Sequence, residues 1–143
     1  MTSENKTDEA DLLRAGWVGQ NHLDTFSAHV GPFFWREKGP VPGVGFFAKN
    51  FHLNVAGVVH GGALLTLADM SLFDICFRSA GVFKGLTVTL NGEFVGAGYK
   101  DQFIEATGDI IKSEGSLLFA RGLISTDGKT LMSFSGTIKR LKK

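Results

Sequence analysis

The chain has 143 residues, 43% of them hydrophobic and 20% charged, which suits one folded domain with a buried core and excludes a disordered or fibrous chain. Its 15 basic and 14 acidic side chains leave a formal charge of +1. The only basic block is the tail Lys139-Arg140-Leu141-Lys142-Lys143, so nucleic acid is not an expected partner.

The segment Met1 to Asp11 is polar and acidic, unlike a secretory signal. Helical spacing of Leu12, Leu13 and Trp17 predicts a short helix over Asp8–Trp17, with Thr7 or Asp8 as its cap. Residues 1–28 read as an N-terminal helical segment and 29–143 as the main domain. The aromatic-rich stretches His29–Lys38 and Gly43–Asn50 read as two strands joined through Gly39-Pro40-Val41-Pro42-Gly43.

One long helix is expected over about Gly61–Ser79, closed by Gly81. Apolar residues occupy nearly all its faces, as in a helix wrapped by other elements, and its single cysteine, Cys76, sits between Ile75 and Phe77 as a core residue would. The apolar run 63–77 is broken by Asp69 and Asp74 and is too short to span a bilayer. A cytoplasmic protein without membrane contact is expected.

Beyond Gly81 the period changes to two. Leu86, Val88 and Leu90 alternate with Thr87, Thr89 and Asn91, Ile104 and Ala106 with Phe103 and Glu105, and Met132 and Phe134 with Ser133 and Ser135. Leu117–Thr126 is a further strand, and the turns Glu114-Gly115-Ser116 and Asp127-Gly128-Lys129 make the last three strands an antiparallel meander. The order predicts an α+β fold, an antiparallel sheet curled around one central helix.

The chemistry concentrates in Asn54-Val-Ala-Gly57-Val-Val-His60-Gly61-Gly62-Ala-Leu-Leu-Thr-Leu-Ala-Asp69. The first amides of a helix have no intrahelical partner and lie at the positive end of its dipole. Gly61 and Gly62 would let a substrate oxygen approach them closely, as an oxyanion site requires; equally, the pair would permit a tight turn against the sheet. Asp69 stands between Ala68 and Met70, where a carboxylate is costly to bury unless paired or used. Asp74, about 140° further around the helix, has Arg78 four residues on as a structural partner. The chemical role therefore falls to Asp69.

Eight residues separate Gly61 from Asp69, about 12 Å along a helix. A base or nucleophile and an oxyanion donor must each stand about 3 Å from the reacting group, so one chain cannot supply both. Two copies with antiparallel central helices would bring the glycine end of one to the aspartate of the other, making two equivalent sites per dimer.

The run Asn54-x-x-Gly57-x-x-His60-Gly61-Gly62-x-x-x-x-Leu67-x-Asp69, followed by Thr87-Val88-Thr89-Leu90-Asn91-x-Glu93-Phe94, resembles the hotdog-fold thioesterases of the phenylacetate-pathway type, relatives of the 4-hydroxybenzoyl-CoA thioesterases. The likeness covers about residues 31–140. It implies a hotdog fold and hydrolysis of an acyl-CoA thioester by a homodimer or dimer of dimers, with CoA part of the substrate and no separate cofactor. It further implies Asp69 as general base or nucleophile, the partner's Gly61 amide as oxyanion donor, Asn54 holding the thioester or water, and Thr87 orienting that water. Strand alternation sets Thr87 opposite Leu86 and Val88, the expected helix-facing side, so its role requires that its face or the strand edge meet a partner.

His60 is open to reading as an acid, a metal ligand or a turn residue. The resemblance favours loop shaping, and His22, His29 and His52 lack ligand spacing, so no metal is expected. No Gly-x-Ser-x-Gly elbow, phosphate loop or dinucleotide fingerprint occurs. Candidate substrate-binding groups are Gly62 at the helix start and, for the CoA phosphates, Arg121, Lys139, Arg140 and the amides of Gly115 and Ser116. Rival functions are a hotdog hydratase or dehydratase, whose usual histidine-carboxylate motif is missing, and a non-catalytic acyl-CoA-binding module, against which Asp69 counts. Phe33, Phe34, Trp35, Phe46, Phe47 and Phe51 are available for an acyl pocket or for the core.

Overall fold

The computed structural model describes residues 7–20, 24–39 and 41–142; Pro40 of the expected turn and His22 lie outside them. Helix α1, Glu9–Arg14, is opened by a capping box in which Asp8 and Asp11 each bond the other's backbone amide. It is shorter than expected, because Gly16 turns the backbone at φ +92° and Trp17 enters strand β1, Trp17–Gly19. The expected strand from His29 is replaced at its start by a helical turn, α2, Phe26–Val30, capped by Thr25. Strand β2 is confined to Phe34–Arg36. A Ser/Thr cap outweighs strand propensity over so short a stretch.

Strand β3, Val44–Phe47, leads through a 3-10 turn at Asn50–His52 to the central helix α3, Gly61–Ala80, closed by Gly81 at φ 79°. Strands β4 (Gly85–Phe94), β5 (Phe103–Glu114), β6 (Leu117–Thr126) and β7 (Lys129–Arg140) follow. The seven strands form one antiparallel sheet in the order β1-β2-β3-β5-β6-β7-β4. The helix thus carries the chain from β3 across the sheet to its far edge, where β4 pairs with β7.

Leu64, Leu67, Ala68, Ser71, Leu72, Ile75 and Cys76 are buried, a stripe at three- and four-residue spacing that faces one side of the sheet. Ala63, Leu65, Met70, Phe73 and Phe77 remain half-buried, so the single chain covers one face of the helix rather than all of it. The sheet answers with Phe46, Ile104, Leu118, Ile124, Met132 and Ile138. Gly136 is where helix and sheet come closest: a Cβ there would stand 2.4 Å from Leu72 Cδ1. Strand alternation sends Phe46 into this core and Phe47 to the outer face, where a second cluster, Leu12, Trp17 and Phe34, packs with Phe47 and Phe103.

Candidate active site

His60 is the N-cap of α3, and its Nδ1 accepts the Gly62 amide hydrogen at 2.8 Å. The histidine therefore shapes the helix start and uses one of the two glycine amides. Gly61 N–H donates to no group among the described residues, leaving it free at the positive end of the helix dipole. The ring of Phe94 lies beside it, 3.4 Å from where a Gly61 Cβ would be. Sequence reasoning did not find Phe94 here, since only the path of β4 across the helix brings it to Gly61.

The preceding loop is built by Asn54, whose Oδ1 accepts the amides of Ala56 at 2.9 Å and Val58 at 3.3 Å. Its carbonyl is thereby committed to the turn, and the side-chain NH₂ is left as a donor. The loop is fastened below by buried His52, a residue the sequence reading left unused. Its Nδ1 accepts the Lys49 amide, its Nε2–H donates to Val30 O at 2.5 Å, and its own carbonyl accepts the His60 amide at 2.8 Å. Burial pulls the His52 pKa below its ordinary value, partly offset by the Val30 bond.

Asp69 is half-buried on the flank of α3, and Thr87 Oγ1 donates to its Oδ1 at 2.5 Å. The expected orientation of β4 is corrected here: Thr87 faces the helix, whereas Leu86 and Val88 are 57% and 54% exposed. A register shift between Thr87 and Thr89 interrupts the alternation, so Leu90 returns to the core side. Such a bulge at a sheet edge re-aims a side chain, in this case the hydroxyl onto the carboxylate.

Asp74 takes the structural role expected of it. Its carboxylate is 11% exposed and lies 3.3 Å from Arg78 Nε, while Arg78 also bonds Arg36 O, tying α3 to β2. Burial raises the Asp74 pKa, and Arg78 and the Gly43 amide only partly oppose the rise. Cys76 is fully buried, its thiol pushed up to about 11 by burial.

The other candidate residues divide by place. Gly115 and Ser116, in the β5–β6 turn, lie at the end of the sheet where β4 begins; Arg140 donates to Gly115 O at 3.2 Å, and Arg140 and Lys139 pair with Gly85 and Leu86. They share a sheet end with Thr87. Arg121 points to the outer face, 3.5 Å from Asp109, in a groove of about 550 Å³ with Glu93 and Ser133, and the sheet separates it from Asp69. Among the described residues, no three His, Cys, Asp or Glu side chains gather as metal ligands would, and no helix is long and apolar enough to cross a membrane. The chain presents a carboxylate held by a hydroxyl and, about 12 Å along the same helix, an unspent amide: the parts for activating water or attacking a carbonyl and for stabilising the resulting oxyanion.

A family model described as the thioesterase superfamily matches residues 56–139. No curated protein sequence matches the chain. Among solved structures, similarity extends to thioesterase superfamily member 2 of zebra fish, 24% identical, with a TM-score of 0.72 over 84% of this chain and 88% of that one. A variant of the phenylacetic acid degradation protein PaaI from Thermus thermophilus is 20% identical, with a TM-score of 0.71 over 81% and 98%. A hypothetical thioesterase with coenzyme A from Streptococcus pneumoniae is 18% identical, with a TM-score of 0.69 over 78% and 90%. At these identities the shared property is the fold, the antiparallel sheet around a central helix of the hotdog thioesterases.

Proposed function

The chain belongs to the thioesterase superfamily, and from that premise we propose that it hydrolyses an acyl-CoA thioester to the free acid and CoA, in a homodimer whose sites are shared. The observation that carries the proposal is the Thr87–Asp69 bond of 2.5 Å in a chain whose free Gly61 amide lies out of reach of the same carbonyl. Asp69 acts as general base on water or as nucleophile, and Thr87 occupies one carboxylate oxygen so that the other faces the reacting carbon. Gly61 of the partner subunit donates to the thioester oxygen as it becomes an oxyanion, and the CoA thiolate departs. Asn54 offers its NH₂ to the thioester or the water, and His60 holds the helix start. Gly115, Ser116, Lys139 and Arg140 are the nearest CoA-phosphate ligands, by their place at the Thr87 end of the sheet.

The course of β4 supports the shared site. It is an edge strand carrying exposed Leu86, Val88 and Phe94, with Thr87 at Asp69 and Phe94 at Gly61. Two β4 edges paired antiparallel about a two-fold axis near Leu90–Asn91 would set Thr87 of one chain near Phe94 of the other, carrying each Gly61 toward the opposite Asp69. That pairing would also remove an exposed apolar edge.

The test is thiol release from acyl-CoA by Asp69→Ala and Asp69→Asn. Turnover should fall sharply while oligomer and CoA binding persist, and unchanged turnover removes the mechanism. Gly61→Pro deletes the amide hydrogen at a helix position that accepts proline. A mixed dimer of Gly61→Pro and Asp69→Ala chains should regain one of its two sites; regaining none refutes the sharing.

A further inference from the structure

We infer that His52 is a positioning residue for the Gly61 amide: its ring anchors the turn before α3 to the end of α2, and its backbone carbonyl holds the N-cap from which that amide is aimed. The inference rests on the reading of Gly61 as the oxyanion donor, because His52 acts on the reaction only through that N–H. His52 is 4% exposed and lies against the rings of Phe46 at 4.6 Å and Phe51 at 4.2 Å. An apolar side chain would fill such a place without the desolvation that an imidazole incurs. What the imidazole adds is its pair of hydrogen bonds.

Three links from three segments meet at this residue. Nδ1 accepts the Lys49 amide at 2.9 Å, a bond internal to the 3-10 turn, whereas Nε2–H donates to Val30 O at 2.5 Å across 22 positions of sequence. The His52 carbonyl accepts the His60 amide at 2.8 Å. The ring bond to Val30 therefore fixes where the backbone of residue 52 stands, and that backbone fixes where the N-cap of α3 stands.

Peptide planarity carries the effect to the donor. The Gly61 N–H shares one rigid plane with the His60 carbonyl, which accepts the amides of Ala63 at 2.9 Å and Leu64 at 3.3 Å, so its direction follows the placement of His60. Just before it, the Val59 amide is held by Gly98 O at 2.8 Å, and the bond to His52 is the last tie before the free amide. An oxyanion donor is effective only when aimed in advance. A small drift of residue 52 would leave the fold standing and the donor misdirected.

The test compares two amides of different reach. His52→Asn can still accept the Lys49 amide but is too short for Val30 O, whereas His52→Gln extends to it. In thiol release from acyl-CoA, His52→Asn should lower kcat about 10- to 100-fold, up to the range of a lost oxyanion donor, with KM within a few-fold; His52→Gln should regain most of the loss. Because the effect passes through one amide, adding His52→Asn to Gly61→Pro should cost nothing beyond Gly61→Pro alone. The aim itself is read by NMR of chains labelled with ¹⁵N-glycine, in which the Gly61 resonance is the one that Gly61→Pro removes: it should move by more than its linewidth in His52→Asn and return in His52→Gln. Equal kcat in the two amides, losses that multiply in the double variant, or a Gly61 resonance unmoved in His52→Asn overturns the inference. A resonance that follows the pattern in a chain that releases no thiol from any acyl-CoA upholds the positioning and removes the thioesterase reading instead.

Discussion

Replacing Thr87 with valine keeps the shape of the side chain and removes one hydroxyl, the donor to Asp69 Oδ1 at 2.5 Å. Hydrogen bonds to charged groups contribute about 1.5–3 kcal/mol, and each ~1.4 kcal/mol is a factor of ten in rate. If the bond orients and sustains the reacting carboxylate, kcat/KM for thiol release should fall about 10- to 100-fold in Thr87→Val. Thr87→Ser restores the donor and should stay within a few-fold of the unaltered enzyme. Thiol release is followed with a chromogenic disulfide under kcat/KM conditions, beside a thermal melt of each variant to separate lost activity from lost fold. Thr87→Val and Thr87→Ser with equal activity would refute the reasoning, because the hydroxyl is the difference that bears on Asp69.

Three further outcomes follow from the geometry. Because burial holds the His52 pKa below its ordinary 6.5, the unfolded chain binds the proton more readily; the stability contributed by neutral His52 is complete above about pH 6.5 and is lost as pH falls through the folded pKa. Urea melts between pH 7 and 5 should therefore show a steeper loss in the unaltered chain than in His52→Gln, and parallel losses would count against it. Gly136→Ala places a methyl group 2.4 Å from Leu72 Cδ1 and 2.5 Å from Thr89 O, and such overpacking costs about 1–3 kcal/mol, to be read as a lower denaturant midpoint; an unchanged midpoint would show that the helix can move away from the sheet. Cysteine at Leu90 or Asn91 should, in one of the two variants, give a covalent dimer under mild oxidation, whereas Leu123→Cys on the outer face should not; absence of a dimer in both would exclude pairing through β4.

The helix start and Asp69 were legible because their determinants are local. A cap histidine, two glycines, a 3.6-residue apolar period and a closing glycine specify α3 within one residue at its C-terminus, and the helical rise then separates Gly61 from Asp69 whatever surrounds them. The β5–β6–β7 meander was legible for the same reason, from period-two alternation between two short turns. Segment 24–36 was not: its α2 depends on the Thr25 cap and on His52 reaching Val30 O across 22 positions of sequence, and nothing near Phe26 announces either.

Thr87 marks the boundary between the two kinds of information. Its residue type and distance from Asp69 in sequence are compatible with a catalytic partner, but alternation alone turns it away from the helix, because a period-two pattern assumes an unbroken strand. The bulge at Val88, the place of β4 at the sheet edge, and the crossing of α3 over the sheet together reverse that orientation. By itself the sequence determined an isolated helix terminus and a carboxylate one fixed interval along, the spacing on which the proposal of a site shared by two chains rests. Tertiary structure decided which hydroxyl holds the carboxylate, which ring borders the free amide and which edge is left for a second copy, since those depend on contacts between segments that local propensity does not encode.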